Sequence, residues 1–373
     1  MSENRGLEGL YERVVAKGLC AACGACVSLC PYLKSFQGRI VTLNQCDIFE
    51  GRCFAYCPRT EVDLEHIHKE VFQREYELTE MGLFRRVLMG RARDRAFRKG
   101  AQTGGVVSSL MDFALQARMI SAAILTRRDQ NHLPQGVVAR TRKEILACAG
   151  SGYVAGPTLQ AFNEGDWTPE DQIGVVGLPC QVLALGRMRA SDLEKRAPVP
   201  VGQVSLVVGL FCTWALDYEP FLAFLRERLD VSQIEKLDIT PPPERLLKVN
   251  TGSETLIPLD EIRPFIRPSC QVCADMTAEF SDLSVGTMEG RAEWNTVVVR
   301  TDRGEEILSL AQKAGVIETK PLPEENLAHL LEASLIKKRR ALEALREQGE
   351  LEKGYLKDAP RWIRNHLFSD PQG

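Results

Sequence analysis

The chain of 373 residues contains no uninterrupted apolar run of the roughly 18 residues that a membrane-spanning helix needs. Its opening segment, MSENRGLEGLYERVVAKGLC, lacks the apolar stretch of a secretory signal. A cytoplasmic protein with no transmembrane segment is therefore expected. Excess charge of either sign is also missing. There are 47 Lys and Arg against 50 Asp and Glu, for a net charge of −3. That balance argues against the strongly basic surface of a nucleic-acid protein, and no nucleic-acid partner is expected. Histidine is sparse. His66, His68, His132, His329 and His366 fall in no recognised motif, and no Ser/His/Asp constellation is evident. His66 and His68 read as part of a solvated connector. No low-complexity segment is present.

What the chain has is cysteine. Twelve are present, and seven of them lie between Cys20 and Cys57. The cytosol keeps thiols reduced, so disulfides are not expected. Clustered thiols in a reducing compartment read as metal sites. Cys20-x2-Cys23-x2-Cys26-x3-Cys30-Pro31 matches the bacterial ferredoxin run. Three thiolates on one tight loop reach three irons of a cubane, and the cysteine before proline is directed to the other cluster. The small Gly24 and Ala25 let the backbone wrap closely.

The partner motif is shorter by one cysteine: Cys46-x6-Cys53-x3-Cys57-Pro58. By the crossover rule, Cys20, Cys23, Cys26 and Cys57 hold a 4Fe-4S cluster. Cys30, Cys46 and Cys53 are left one thiolate short. That site holds a 3Fe-4S cluster, or a 4Fe-4S cluster completed by an oxygen donor such as Asp47 or Glu50, or nothing.

The composition, 44% hydrophobic and 26% charged, is that of a globular protein. At roughly 100–200 residues per domain, the length suggests two or three domains. An iron–sulfur domain is expected over 1–62 and a polar linker over 63–98. A catalytic core is expected over 99–322 and a helical extension over 323–373. The linker's FRRVLMGRARDRAFRKG reads as a solvated helix face, or else as a patch facing phosphate or a partner. From about residue 100, strands alternate with helices: ISAAILTR, QGVVART, QIGVVGL and VSLVVGLFC are strands, each but the first followed directly by a helical pattern. The expected class is therefore α/β (α+β), a ferredoxin-like domain followed by an α/β core with a mixed sheet and C-terminal helices. The last dozen residues read as a loose tail.

Cys180 and Cys212 each follow a strand. Ligands of open α/β sheets bind outside the carboxyl ends of strands, so two thiols there are placed to share a site. Cys270-x2-Cys273 adds two more, and four thiolates are what a cubane needs. The plainer alternatives are buried hydrophobic cysteines at 180 and 212, and a redox pair or half a zinc site at 270 and 273. Cys148 reads as a core residue.

Several segments occur together in order: TGGVVSSL, VARTRKEILACAGSGY, VGLPCQVLAL, GLFC, CQVCAD followed by EFSDLSVG, and EWNTVVVRT. They resemble the family of coenzyme F420 hydrogenase/dehydrogenase β-subunits over about residues 98–320. The 7-hydroxymethyl chlorophyll a reductases are similar over the same core. The resemblance implies FAD bound beside a 4Fe-4S cluster, with Cys180, Cys212, Cys270 and Cys273 as the ligands. Thr103, Gly104, Gly105, Ser108 and Ser109 are the implied flavin contacts, at a helix start suited to phosphate. Ser151 and Tyr153, and Trp294, Asn295 and Arg300, are implied by two further segments. There are departures. Gly152 stands where the resemblance implies lysine, and Leu178 stands where threonine is usual.

The implied function is that of an iron–sulfur flavoprotein oxidoreductase. Electrons would pass between a hydride carrier of the coenzyme F420 type at FAD and one-electron acceptors, through two or three clusters to a redox protein partner or ferredoxin. No catalytic acid, base or nucleophile is singled out. The alternative is an electron-transfer subunit of a hydrogenase, formate dehydrogenase or heterodisulfide-reductase-like complex without a free substrate. In that case the basic cluster KKRR near residue 338 would dock the partner. A tetrapyrrole reductase is a third reading.

Overall fold

The computed structural model describes residues 3–76, 79–195, 200–240, 244–352 and 354–357. The expected loose tail and His366 lie outside the described residues. Along the chain, the N-terminal block contributes α1 (Leu7–Leu10), the hairpin β1 (Leu33–Phe36) and β2 (Arg39–Thr42), and α2 (Arg52–Ala55). Next come α3 (Leu64–Phe72), β3 (Arg86–Ala92), α4 (Arg95–Gly100), α5 (Val106–Gln116), β4 (Ala122–Arg128), β5 (Pro134–Ala139) and α6 (Arg142–Leu146). They are followed by α7 (Thr158–Glu164), β6 (Ile173–Gly177), α8 (Pro179–Ala190), β7 (Val204–Leu210) and α9 (Tyr218–Arg226). A small antiparallel sheet of β8 (Lys236–Ile239), β9 (Leu246–Asn250) and β10 (Glu254–Pro258) leads to α10 (Leu259–Ile262) and α11 (Pro268–Gln271). The chain ends with β11 (Leu283–Thr287), β12 (Asn295–Val299), α12 (Asp302–Lys313), β13 (Ile317–Pro321) and α13 (Glu324–Glu347).

Eight strands form one mixed sheet in the order β13-β3-β12-β11-β7-β6-β4-β5. Its centre, β11-β7-β6-β4, is parallel. All five residues of β6, Ile-Gly-Val-Val-Gly, are buried. A continuous small and apolar run is what a strand covered on both faces requires. One face is packed by Leu110, Met111 and Ala114 of α5 with Ile307, Leu308 and Ala311 of α12. On the other face lie Leu64 and Ile67 of α3, Val182, Leu183 and Leu185 of α8, and Leu342 and Leu345 of α13. The chain is thus a mixed α/β protein with helices on both faces of a large sheet.

Two expectations are corrected. Residues 63–98 are not a connector: α3 packs under the sheet, and β3 is a sheet strand between β13 and β12. Of the arginines that suggested a solvated helix, Arg85, Arg86 and Arg91 are paired across the fold, while Arg93 and Arg95 stay exposed. Arg86 donates to both Glu305 oxygens at 2.8 and 2.6 Å, and Arg91 donates to Glu318 at 2.9 Å. Those partners are more than 200 residues away, so no local pattern betrays the strand. His68 is likewise not solvated. It is 3% exposed and stacks against Phe72 and Tyr76.

The N-terminal block is sutured to the core. Gly24 has φ of +87°, and a side-chain carbon there would lie 2.7 Å from the Gln160 nitrogen and the Pro157 carbonyl at the start of α7. Asn163 of α7 donates to the carbonyls of Ala25 and Val27 at 3.1 and 2.7 Å.

Candidate redox site

Strand direction decides what meets at the sheet's edge. The carboxyl ends of β3, β4, β6, β7 and β11 and the amino end of β12 share one side. Cys180 follows β6, Cys212 follows β7, and Asn295 opens β12, so all three lie on that side. This is the edge where open α/β sheets bind ligands.

Every cysteine is a free thiol. All but Cys148 fall into three neighbourhoods. Cys23 and Cys26 feel the charges of Cys20 and Cys57. Burial pushes the Cys23 thiol up to about 12 and Cys57 to about 11. Cys53 is pushed up to about 12, chiefly by burial, and its charged neighbours are Cys30 and Cys46, then Cys57. Cys180, Cys212, Cys270 and Cys273 make the third set, in which burial raises Cys180 and Cys212. Cys273 is the exception: burial opposes its ionisation, but Lys337 and Arg59 beside it hold it below the ordinary thiol value. Among the described residues, no three His, Cys, Asp or Glu side chains converge closely enough to chelate a single ion. Thiolates on a cubane sit on separate irons, an arrangement wider than chelation of one ion. Cys148 packs against the apolar core that contains Ile145, outside all three sets.

The neighbourhoods are contiguous. Cys53 of the three-thiol set feels Cys57 of the first, and Cys180 of the third feels Cys23 of the first. Arg59 is buried at the second junction, where it feels Cys273 and Cys180. It donates to the carbonyls of Pro58 and Ser269 at 3.0 and 3.4 Å and lies 4.8 Å over the Tyr355 ring. A cavity of about 50 Å³ beside it is lined in part by Cys180, Cys273, Glu279, Lys338 and Tyr355.

The basic cluster of α13 is corrected in the same way as β3. Lys337 and Lys338 are 3% and 5% exposed. Lys337 donates to the Cys212 carbonyl at 2.6 Å, and Lys338 pairs with buried Glu279. These two lysines serve the fold around the thiols and are not a docking face.

The glycine loop after α4 lies on the same edge. Asn295 Nδ2 donates to Thr103 Oγ1 at 2.5 Å and to the Gly286 carbonyl at 3.1 Å, while its Oδ1 accepts from the Val106 N–H at 3.2 Å. Gly104 has no room for a side chain: an added carbon would lie 2.7 Å from Asn295 Oδ1. Gly105 has φ of +73° and starts α5. The first-turn N–H groups of Val107 and Ser108 point out of the helix start, as at any N-terminus. Ser109 is buried, and its hydroxyl has no partner. Ser151 and Tyr153 join this loop through Gln102, which bonds to both and to Asp238 at 3.0 Å. The Ile239 N–H donates to the Tyr153 hydroxyl at 2.8 Å. Trp294 packs with Met89 and Met288 beneath Arg91, 4.6 Å away.

Arg300 does not join them. It follows the far end of β12 and is fully buried there. It donates to Ser284 at 2.8 Å and to the carbonyls of Met81 and Leu83 at 3.0 and 2.7 Å. Asn295 opens the five-residue strand and Arg300 follows its last residue. Gln102, Asp238, Arg59 and Lys337 were not singled out as site residues from the sequence. Gln102 adjoins TGG and carried a usable signal; the others depend on tertiary contacts.

Comparison with known proteins agrees with this geometry. Residues 87–163 match the model for the N-terminal part of the coenzyme F420 hydrogenase/dehydrogenase beta subunit, and residues 170–325 match its C-terminal part. The beta subunit of the coenzyme F420 hydrogenase of Methanosarcina barkeri is 31% identical over 65% of this chain and 84% of that protein. One of the subunits of the F(420)H(2) dehydrogenase of Methanosarcina mazei is 25% identical over 83% of this chain and 87% of that protein. A chain of the F420-reducing [NiFe] hydrogenase complex of Methanosarcina barkeri superposes with a TM-score of 0.67 at 29% identity, over 73% of this chain and 94% of that one. The chain belongs to the family of coenzyme F420 hydrogenase/dehydrogenase beta subunits.

Proposed function

We propose that this protein is an iron–sulfur flavoprotein oxidoreductase that moves electrons between a hydride carrier of the coenzyme F420 class and one-electron acceptors. The observation that carries the reading is contiguity: three thiol sets in a row, the last on the same sheet edge as the glycine loop.

The donor sets fit the groups. Four thiols in the first set and four in the third match the ligand count of a 4Fe-4S cubane. Cys20, Cys23, Cys26 and Cys57 would hold one, and Cys180, Cys212, Cys270 and Cys273 another. Cys30, Cys46 and Cys53 supply three thiolates, the count for a 3Fe-4S cluster. For FAD, the orphan hydroxyl of Ser109 and the helix start at Gly105 offer unspent donors. FAD, when bound, supplies the interchange of hydride and single-electron chemistry, and the clusters hold single electrons.

The chain's own residues do the rest. Asn295 holds the glycine loop against β11 and fixes where its N–H groups aim. Burial of Cys23 and Cys26 in the first set and Cys273 in the third limits water there, while Cys30, Cys46 and Cys53 are only partly buried. Backbone N–H groups reach sulfur, among them Ala22 to Cys20 at 3.4 Å and Ala215 to Cys270 at 3.3 Å. Such bonds and the nearby cations Arg59 and Lys337 stabilise negative charge on sulfur. The test is an anaerobic assay of the flavin-replete protein with reduced coenzyme F420 and a dye acceptor. Turnover supports the reading, and its absence contradicts it.

A second reading is favoured by one surface. Phe36, Leu43, Ile48 and Phe49 are exposed around the three-thiol set. Apolar side chains there suit a protein partner docked at the outer end of the relay. The chain would then be the electron-transfer subunit of a larger complex, and stable co-purification with a redox partner distinguishes it from the stand-alone enzyme.

A further inference from the structure

At the carboxyl edge of the sheet, Arg128 combines partial burial with the lack of any hydrogen-bond or ion-pair partner among the described residues, whereas the unpaired Arg93 and Arg127 are exposed. It is the last residue of β4 and is half-buried. Its Nη1 is shielded from water and bonds to nothing. Burial alone lowers its pKa, and no anion offsets that burial. Arg59 and Arg300, the other buried arginines described above, anchor their terminal nitrogens on backbone carbonyls, although Arg59 Nε is left without a described partner. Arg128 has no such anchor.

Its direction is set by two glycines. A side-chain carbon added at Gly152 would lie 3.1 Å from Arg128 Cδ and 4.0 Å from Nε. One added at Gly150 would lie 3.8 Å from Nη2 and 3.4 Å from the Gly100 carbonyl. The guanidinium therefore runs along the 150–153 loop, on the side of Gly100. This is the loop whose Ser151 and Tyr153 bond to Gln102, next to Thr103. The bare Gly152 leaves room for the arginine stem.

A half-buried cation without an acceptor is costly until an anion meets it. The planar fork of guanidinium matches phosphate and carboxylate oxygens two at a time. We propose that Arg128 binds an anionic oxygen group of the ligand in this cleft, either the FAD pyrophosphate or the anionic tail of the hydride carrier. The proposal rests on the flavoprotein reading above. It adds the residue that supplies the site's positive charge, from β4 and not from position 152.

The test uses the full chain as wild type, Arg128→Ala, Arg128→Lys, and Arg128→Ala combined with Gly152→Lys. Gly152 has no left-handed φ, so lysine is accommodated once the arginine stem is gone. FAD is titrated into flavin-stripped protein, coenzyme F420 is titrated into flavin-replete protein, and melting temperature controls for folding. Arg128→Ala is expected to weaken one of the two ligands by about tenfold or more, as for loss of a charge-assisted contact. Arg128→Lys should retain most of that affinity, and the double variant should regain it. Loss of FAD affinity identifies the pyrophosphate as the anion; loss of F420 affinity with FAD retained identifies the carrier. Unchanged affinity for both, in a variant that melts like wild type, overturns the proposal while leaving the flavoprotein reading intact. Wild-type protein that binds neither ligand overturns both.

Discussion

Asn295 makes three hydrogen bonds with one amide, to Thr103, Val106 and Gly286. Asn295→Ala leaves those groups unpaired in a buried place, at a cost of about 1–3 kcal/mol. Chemical denaturation should show that loss, and flavin content should fall with it. Lys337 tests the electrostatics. Its ammonium sits beside Cys273, Cys212 and Cys270 and favours the reduced, more negative state of whatever they hold. Lys337→Gln is expected to move the midpoint potential of the core cluster to a more negative value in an EPR-monitored redox titration. An unmoved potential would show that the lysine serves the fold alone. At this scale the thiols were legible because ferredoxin spacing is local. The cations around them were not, because Arg59 and Lys337 reach Cys273 from distant parts of the chain.

Among the elements, the contact between the Cys23 loop and α7 joins two thiol sets. Gly24→Ala combines a left-handed backbone with a collision against Gln160 and Pro157, strain of about 1–3 kcal/mol. The expected result is selective loss of iron from the N-terminal block, with the signal of the core cluster retained. A second prediction concerns α6, whose start is closed by Thr141 and Glu144 bonding to each other's backbone. The Arg140 N–H, then the Thr141 hydroxyl, hold the Glu144 carboxyl below the usual carboxylate range. That contribution is fully present above the unfolded value of about 4.3. It is lost as pH falls through the lowered folded value. Glu144→Ala should therefore lower the melting temperature slightly at pH 7 and by less at pH 3.

The alternation of strand and helix after residue 100 was readable, since β4, β6 and β7 are apolar runs bounded by turns. β3 was hidden by arginines whose partners Glu305 and Glu318 fold in from far along the chain. The direction of the KKRR cluster was also hidden, because only packing turns Lys337 and Lys338 inward.

For the whole molecule, the central claim is a continuous path from a flavin cleft through three thiol sets to an apolar outer face. The family match covers the α/β core, and the M. mazei relative aligns over 83% of the chain. The thiol sets have four, three and four members, so the iron count tests how many of them are filled. The measurement is an inventory of flavin, iron and acid-labile sulfide per chain on anaerobically purified protein. One FAD with about 11 iron is predicted, from two 4Fe-4S clusters and one 3Fe-4S cluster; about 12 would mean that a non-cysteine ligand completes the outer site. Protein with no flavin and about 8 iron or fewer would contradict the path and leave a protein without hydride chemistry.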